Sequence, residues 1–132
     1  GLFYPATMPT TGPLLIVEGP SDAAAAIDLG YAVIGRPSNT GGAQDLLAML
    51  GRSRHHPIAL VRDRDQPRSA AERNTWLGVK RVADALDAQV RAVRVFAPPG
   101  EKDFRQWVQA GATRELVDDV IDSALFWDRD HD

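Results

Sequence analysis

Residues 14–35 read LLIVEGPSDAAAAIDLGYAVIG. An apolar run from Leu14 to Val17 stops at Glu18-Gly19-Pro20. An alanine-rich stretch follows, with Ser21 placed to cap a helix and Gly30 placed to end it. A second apolar run, Tyr31–Gly35, begins at once. Strand, helix and strand in that order form a right-handed parallel unit. Two further runs extend the pattern, IALVRD at 58–63 and VRAVRVFA at 90–97. The first three runs are almost continuously apolar, as strands covered on both faces are. The fourth alternates, with Arg91 and Arg94 interrupting it, and is expected nearer an edge.

Helical patterns fill the gaps. Leu46, Leu47 and Leu50 share a stripe, as do Val79, Val82, Ala83 and Leu86, and again Val117, Val120, Ile121 and Ala124. The expected fold is an α/β three-layer sandwich around a mostly parallel sheet of four strands. Residues 1–12 read as a linker or arm, 13–112 as the domain, and 113–132 as a C-terminal helix and acidic tail.

The 132 residues carry a 44% apolar fraction and a 25% charged fraction, ordinary for a globular chain with a core. There is no cysteine, which excludes disulfides and thiolate–zinc sites and suits a reducing cytoplasm. No apolar run approaches the roughly 20 residues that a membrane-spanning helix needs. The chain opens at Gly1 without a methionine, as an excised part of a longer protein would. A net charge of -3 is not that of a free-standing duplex-DNA binder, so any nucleic-acid contact is expected to be local, metal-assisted or shared with flanking domains.

In parallel sheets, ligands bind outside the carboxyl ends of the strands. Glu18 closes the first strand, Asp63 closes the third, and Asp65 follows two residues on. Side chains two apart on an extended segment point the same way. Three such carboxylates repel one another, and a hard divalent cation relieves the repulsion. Magnesium, or manganese in its place, suits oxygen ligands of this kind. Turn chemistry alone accounts for many Asp-x-Asp pairs; the joint placement with Glu18 is the more specific signal. The second Asp-Arg-Asp, at Asp128 and Asp130, follows a helix at an acidic chain end and is expected to be solvated.

Taken together, LLIVEGPSDAAAA, IALVRDRD and EKDFRQWVQAGAT resemble the Toprim domain of primases, topoisomerases, some nucleases and recombination-repair proteins. The resemblance covers about residues 13–112. Its Glu-Gly falls on Glu18-Gly19 and its Asp-x-Asp on Asp63-Arg64-Asp65. Asp22 matches an acidic position of primase-like members. Lys102-Asp103 is similar to a late Lys-Asp segment in primases of phages, plasmids and mobile elements. The resemblance implies magnesium-dependent nucleotidyl transfer on nucleotides and nucleic acid within a DNA replication protein. Glu18, Asp63 and Asp65 would hold metal, and Glu18 would double as general acid or base. Asp22, Lys102 and Asp103 are candidate additions, and Arg64 and Arg68 are candidate phosphate contacts.

Many members carry a glycine soon after the Asp-x-Asp. Here QPRSAAERNTWLG intervenes, which suggests that Gly78 is that glycine, displaced by an inserted loop carrying Arg68, Arg73 and Trp76, with Trp76 packed beneath it. Asp22 lies in a first helical turn, where negative charge is favourable by itself. Asp103 has Gln106 three residues on and reads as an N-cap. Phe104 and Trp107 read as core. His55 and His56 read as solvated loop residues, and Gly41-Gly42 as a helix entry without a phosphate-loop pattern. The same acids would serve a nuclease, and a non-catalytic module would keep the fold. A receiver domain shares the sheet but has paired acids after its first strand, where this chain has one Glu.

Overall fold

A computed structural model describes residues 2–36, 43–51, 53–65, 68–88 and 92–127. The second Asp-Arg-Asp, the Gly41-Gly42 pair and Arg91 lie outside the described residues.

The sheet has four strands: β1 (Leu14–Glu18), β2 (Ala32–Arg36), β3 (Ile58–Val61) and β4 (Val93–Phe96). All three pairings are parallel, in the order β2-β1-β3-β4. Their side chains alternate between two apolar cores. Leu15, Val17, Val33, Ala59, Val61 and Phe96 pack on one face, and Leu14, Ile16, Ile34, Leu60 and Val93 on the other. The first face is covered by α1 (Pro20–Asp28), α4 (Phe104–Gln109) and α5 (Arg114–Ser123). The second is covered by α2 (Ala43–Leu50) and α3 (Ala70–Ala88). The expected three-layer α/β sandwich is therefore present. β4 is the edge strand that its alternation predicts.

Helix α1 departs from the expected start. It begins at Pro20, not after Ser21, and its cap residue Gly19 makes no side-chain cap bond. Proline at the first helical position has its φ already set and no N–H to leave unsatisfied. Gly19 turns the chain with φ 83°, a conformation costly for other residues, while its N–H donates to the Arg36 carbonyl at 2.8 Å.

Helix α3 departs more. The expected inserted loop is mostly helix, and Gly78 lies buried inside it. Ser69 and Glu72 carry the reason: the Ser69 hydroxyl oxygen accepts the Glu72 N–H at 3.0 Å, satisfying a donor of the first turn. Trp76, expected beneath that loop, is instead a half-buried helical residue, 5.5 Å from the Trp127 ring with the Arg62 guanidinium 5.1 Å from its centroid.

His55 is the other correction. It is buried, not solvated, with one ring nitrogen 2.6 Å from the Ser53 hydroxyl and the other 2.8 Å from the Pro9 carbonyl. Two local partners replace water and tie the N-terminal arm to the loop before β3; His56 is exposed. Short antiparallel bridges flank the sheet. Phe3 pairs with Gly35 on the β2 side, where a Cβ at position 35 would stand 3.1 Å from the Gly19 carbonyl. Phe126 pairs with Arg94 on the β4 side.

Candidate functional site

Strand order places the site. From β1 the chain leaves over one face toward β2; from β3 it leaves over the opposite face toward β4. The carboxyl ends of β1 and β3 therefore border the topological switch point, the position at which parallel sheets of this kind bind ligands. Glu18 is the last residue of β1, and Asp63 lies just past the end of β3.

The two exit loops of β3 and β4 are stitched together beside these strand ends. The Arg64 N–H donates to the Lys102 carbonyl at 2.6 Å, and Arg64 Nε donates to the Pro98 carbonyl at 3.3 Å. Asp103 caps α4 as expected, accepting the Gln106 N–H at 2.8 Å. Asp22 reaches the same helix from α1: its Oδ1 accepts the Arg105 N–H at 3.0 Å, although Asp22 is only 3% exposed. It thus answers a second orphan donor of α4. Phe104 and Trp107 lie in the core beneath, as expected.

Electrostatics tie these acids into one cluster. Burial pushes the Asp63 carboxyl up to about 7, with further upward pressure from the charges of Asp22, Glu18, Asp103 and Asp65. Its Oδ1 is buried with no hydrogen-bond partner among the described residues. Burial also pushes Asp22 up, to about 6, against the pull of the Arg105 N–H. Glu18 is raised by burial, and Arg36 offsets part of that rise. Asp65 is held by α3: the Thr75 hydroxyl donates to its Oδ2 at 2.6 Å.

Glu18, Asp22, Asp65 and Asp103 thus all lie within electrostatic reach of Asp63. Among the described residues no three of them close into a finished cation cage. Yet Asp63 Oδ1, with no donor among the described residues and in a group raised by burial and by four neighbouring acids, is a donor of the kind a hard cation takes. Magnesium commonly takes one or two carboxylates and completes its shell with water and phosphate. Lys102, Arg64 and Arg68 are exposed, and Arg68 holds a left-handed backbone, φ 64°.

Two residues at the site are not among the sequence-derived candidates. Arg36 ends β2, in register with Glu18, and is 1% exposed. Its buried positive charge acts on both Glu18 and Asp63. A basic residue closing an apolar strand run beside an acidic one was the available signal. Thr75 is the second; its signal was a polar residue on the apolar stripe of α3.

No protein-family model and no curated protein matches the sequence. Solved structures do. The chain is similar to the Escherichia coli primase catalytic core, at 21% identity and TM-score 0.65, over 90% of this chain and 36% of that one. It is similar to a DnaG catalytic core, at 19% identity and TM-score 0.68, over 92% and 36%. A DnaG primase catalytic domain bound to single-stranded DNA matches at 18% identity and TM-score 0.65, over 90% and 35%. The chain spans 35–36% of the length of these primase structures. It has the Toprim-like fold found within the primase catalytic core.

Proposed function

We propose that this chain is a Toprim-type domain that supports magnesium-dependent nucleotidyl transfer of the primase kind. The observation that carries the reading is Asp63. A buried carboxylate oxygen with no donor among the described residues, at the switch point of a primase-like sheet and in a group raised by burial and by four acidic neighbours, suits a cation ligand.

Glu18, Asp63 and Asp65 would hold the magnesium or manganese. When bound, the ion supplies neutralisation of phosphate charge and orientation of reacting oxygens. The remaining work falls to the chain itself. Glu18, raised by burial, is suited to hold or release a proton at its carboxylate. Arg36 limits the repulsion felt by Glu18 and Asp63, so the cluster assembles without collapsing outward. Asp22 and Asp103 fix α4 and the loop before it, which presents Lys102 as a point charge toward a phosphate. Arg64 and Arg68, both exposed, would meet a nucleotide's outer phosphates or a nucleic-acid backbone.

We assign template gripping to flanking segments of a longer replication protein, of the phage, plasmid or mobile-element type and working in the cytoplasm. A net charge of -3 gives this domain little attraction of its own for a template track. No helix among the described residues is long and apolar enough to cross a membrane.

The test has two parts. Magnesium titration followed by 1H–15N NMR should shift Gly19, Asp63 and Asp65 in a saturable manner, and Asp63→Asn should abolish the response. Primer synthesis by the longer protein should then fail with the same substitution. Nicking of plasmid DNA by the isolated chain with magnesium would instead make it a nuclease. Unchanged activity of the longer protein with Asp63→Asn would make it a binding module.

A further inference from the structure

Thr75 stands where α3 has no use for a polar group. With Val79, Val82, Ala83 and Leu86 it falls at i, i+4, i+7, i+8 and i+11, along one helix face. Those four residues are at most 2% exposed and belong to the core between α2, α3 and the sheet. Valine or alanine would continue the stripe. Thr75 is itself 4% exposed, so its hydroxyl must find a partner inside the protein. It finds one in Asp65, donating from Oγ1 to Oδ2 at 2.6 Å.

Asp65 needs that partner. It lies beyond the end of β3, on a loop without sheet pairing to hold it. Its backbone neighbour Arg64 is fixed by the bond to the Lys102 carbonyl, but that bond does not select a rotamer for the Asp65 carboxylate. Helix α3 does. The helix is anchored at its start by Ser69 and along its length by the core stripe, so the Thr75 hydroxyl is a rigid point.

We infer that Thr75 is the positioning residue for Asp65, holding its carboxylate in the one orientation from which the free oxygen meets a divalent cation. This rests on the cation reading of the site proposed above. Groups that orient a metal ligand from behind commonly account for 10- to 100-fold in affinity.

The experiment is a magnesium titration of the full chain, by calorimetry and 1H–15N NMR, on wild type and Thr75 variants. Thr75→Val keeps the shape and removes the donor, and should raise the magnesium Kd about tenfold with the melting temperature nearly unchanged. Thr75→Ala also lacks the hydroxyl and should weaken binding to a similar degree, so the result does not depend on valine being accommodated. Thr75→Ser restores the donor and should bring Kd back to within about threefold of wild type. The inference is overturned if Thr75→Val and Thr75→Ala bind magnesium as wild type does while Asp63→Asn does not, which leaves the cation site standing. It is also overturned if Thr75→Ser is as weak as Thr75→Val, since packing would then be the cause. Wild type without a saturable magnesium response overturns the cation reading and this inference together.

Discussion

Asp63 pays for its position with stability. Burial, with neighbouring negative charge, pushes its carboxyl up to about 7 and that of Asp22 up to about 6, both above the ordinary aspartate range near 4. A raised folded-state pKa means that the native state binds more protons than the unfolded chain between these values. Stability is then fully present below about pH 4 and is lost as pH rises through 6 and 7. The metal-free protein should therefore melt at progressively lower temperature from pH 4.5 to pH 7.5, and magnesium should recover more of that loss at pH 7.5 than at pH 5; scanning calorimetry with and without magnesium reads both. For the same reason Asp63→Asn should stabilise the metal-free protein, by about 1 kcal/mol in urea denaturation, while removing magnesium binding. Asp22 allows a sharper dissection. Asp22→Asn keeps an oxygen for the Arg105 N–H, whereas Asp22→Ala leaves that donor without an acceptor and should cost about 1–2 kcal/mol more than the asparagine variant.

Elements show what sequence patterns could and could not deliver. The stripes of α2, the second half of α3 and α5 were legible because periodicity reports burial directly: Leu46, Val79, Leu86 and Val117 are fully buried. The start of α3 was not. The segment from Arg68 to Gly78 is polar and carries no apolar stripe to announce a helix, although Ser69-x-x-Glu72 is a helix-start signature. His55 was misread because its partners, Ser53 and the Pro9 carbonyl, depend on where the arm lies, which no local pattern encodes. Glu18, Asp63 and Asp65 could be named as candidates because strand ends in a parallel sheet are ligand positions by topology. Arg36 and Thr75 were missed because each acts through a neighbour set by tertiary register. Caps can be tested at this scale. Thr113 accepts the Leu116 N–H at 3.2 Å and lies apart from the acidic cluster. Thr113→Ala should lower stability by about 1 kcal/mol in urea denaturation and leave the magnesium Kd unchanged.

At the scale of the molecule, two aromatic fastenings hold the C-terminal segment to the sheet. Trp127 packs on Trp76 and donates its indole N–H to Asp84 at 2.9 Å, while its backbone N–H reaches the Val93 carbonyl at 2.8 Å. Arg94 lies over the Phe126 ring at 4.0 Å and binds the carbonyls of Asp122 and Ala124. Trp127→Ala should destabilise the protein by about 2–3 kcal/mol, somewhat less than a fully buried tryptophan would, with thermal unfolding as the readout. Phe3 does the matching work on the other flank, exchanging two backbone hydrogen bonds with Gly35 at 2.6 and 2.8 Å. A parallel sheet whose outermost strands were bare would offer its amides as a template to any passing extended peptide. Here each flank is already engaged by a few residues of the same polypeptide, so concentrated solutions of this protein have little incentive to grow by strand-to-strand recruitment, and removing Phe3 or Phe126 is where such recruitment would begin.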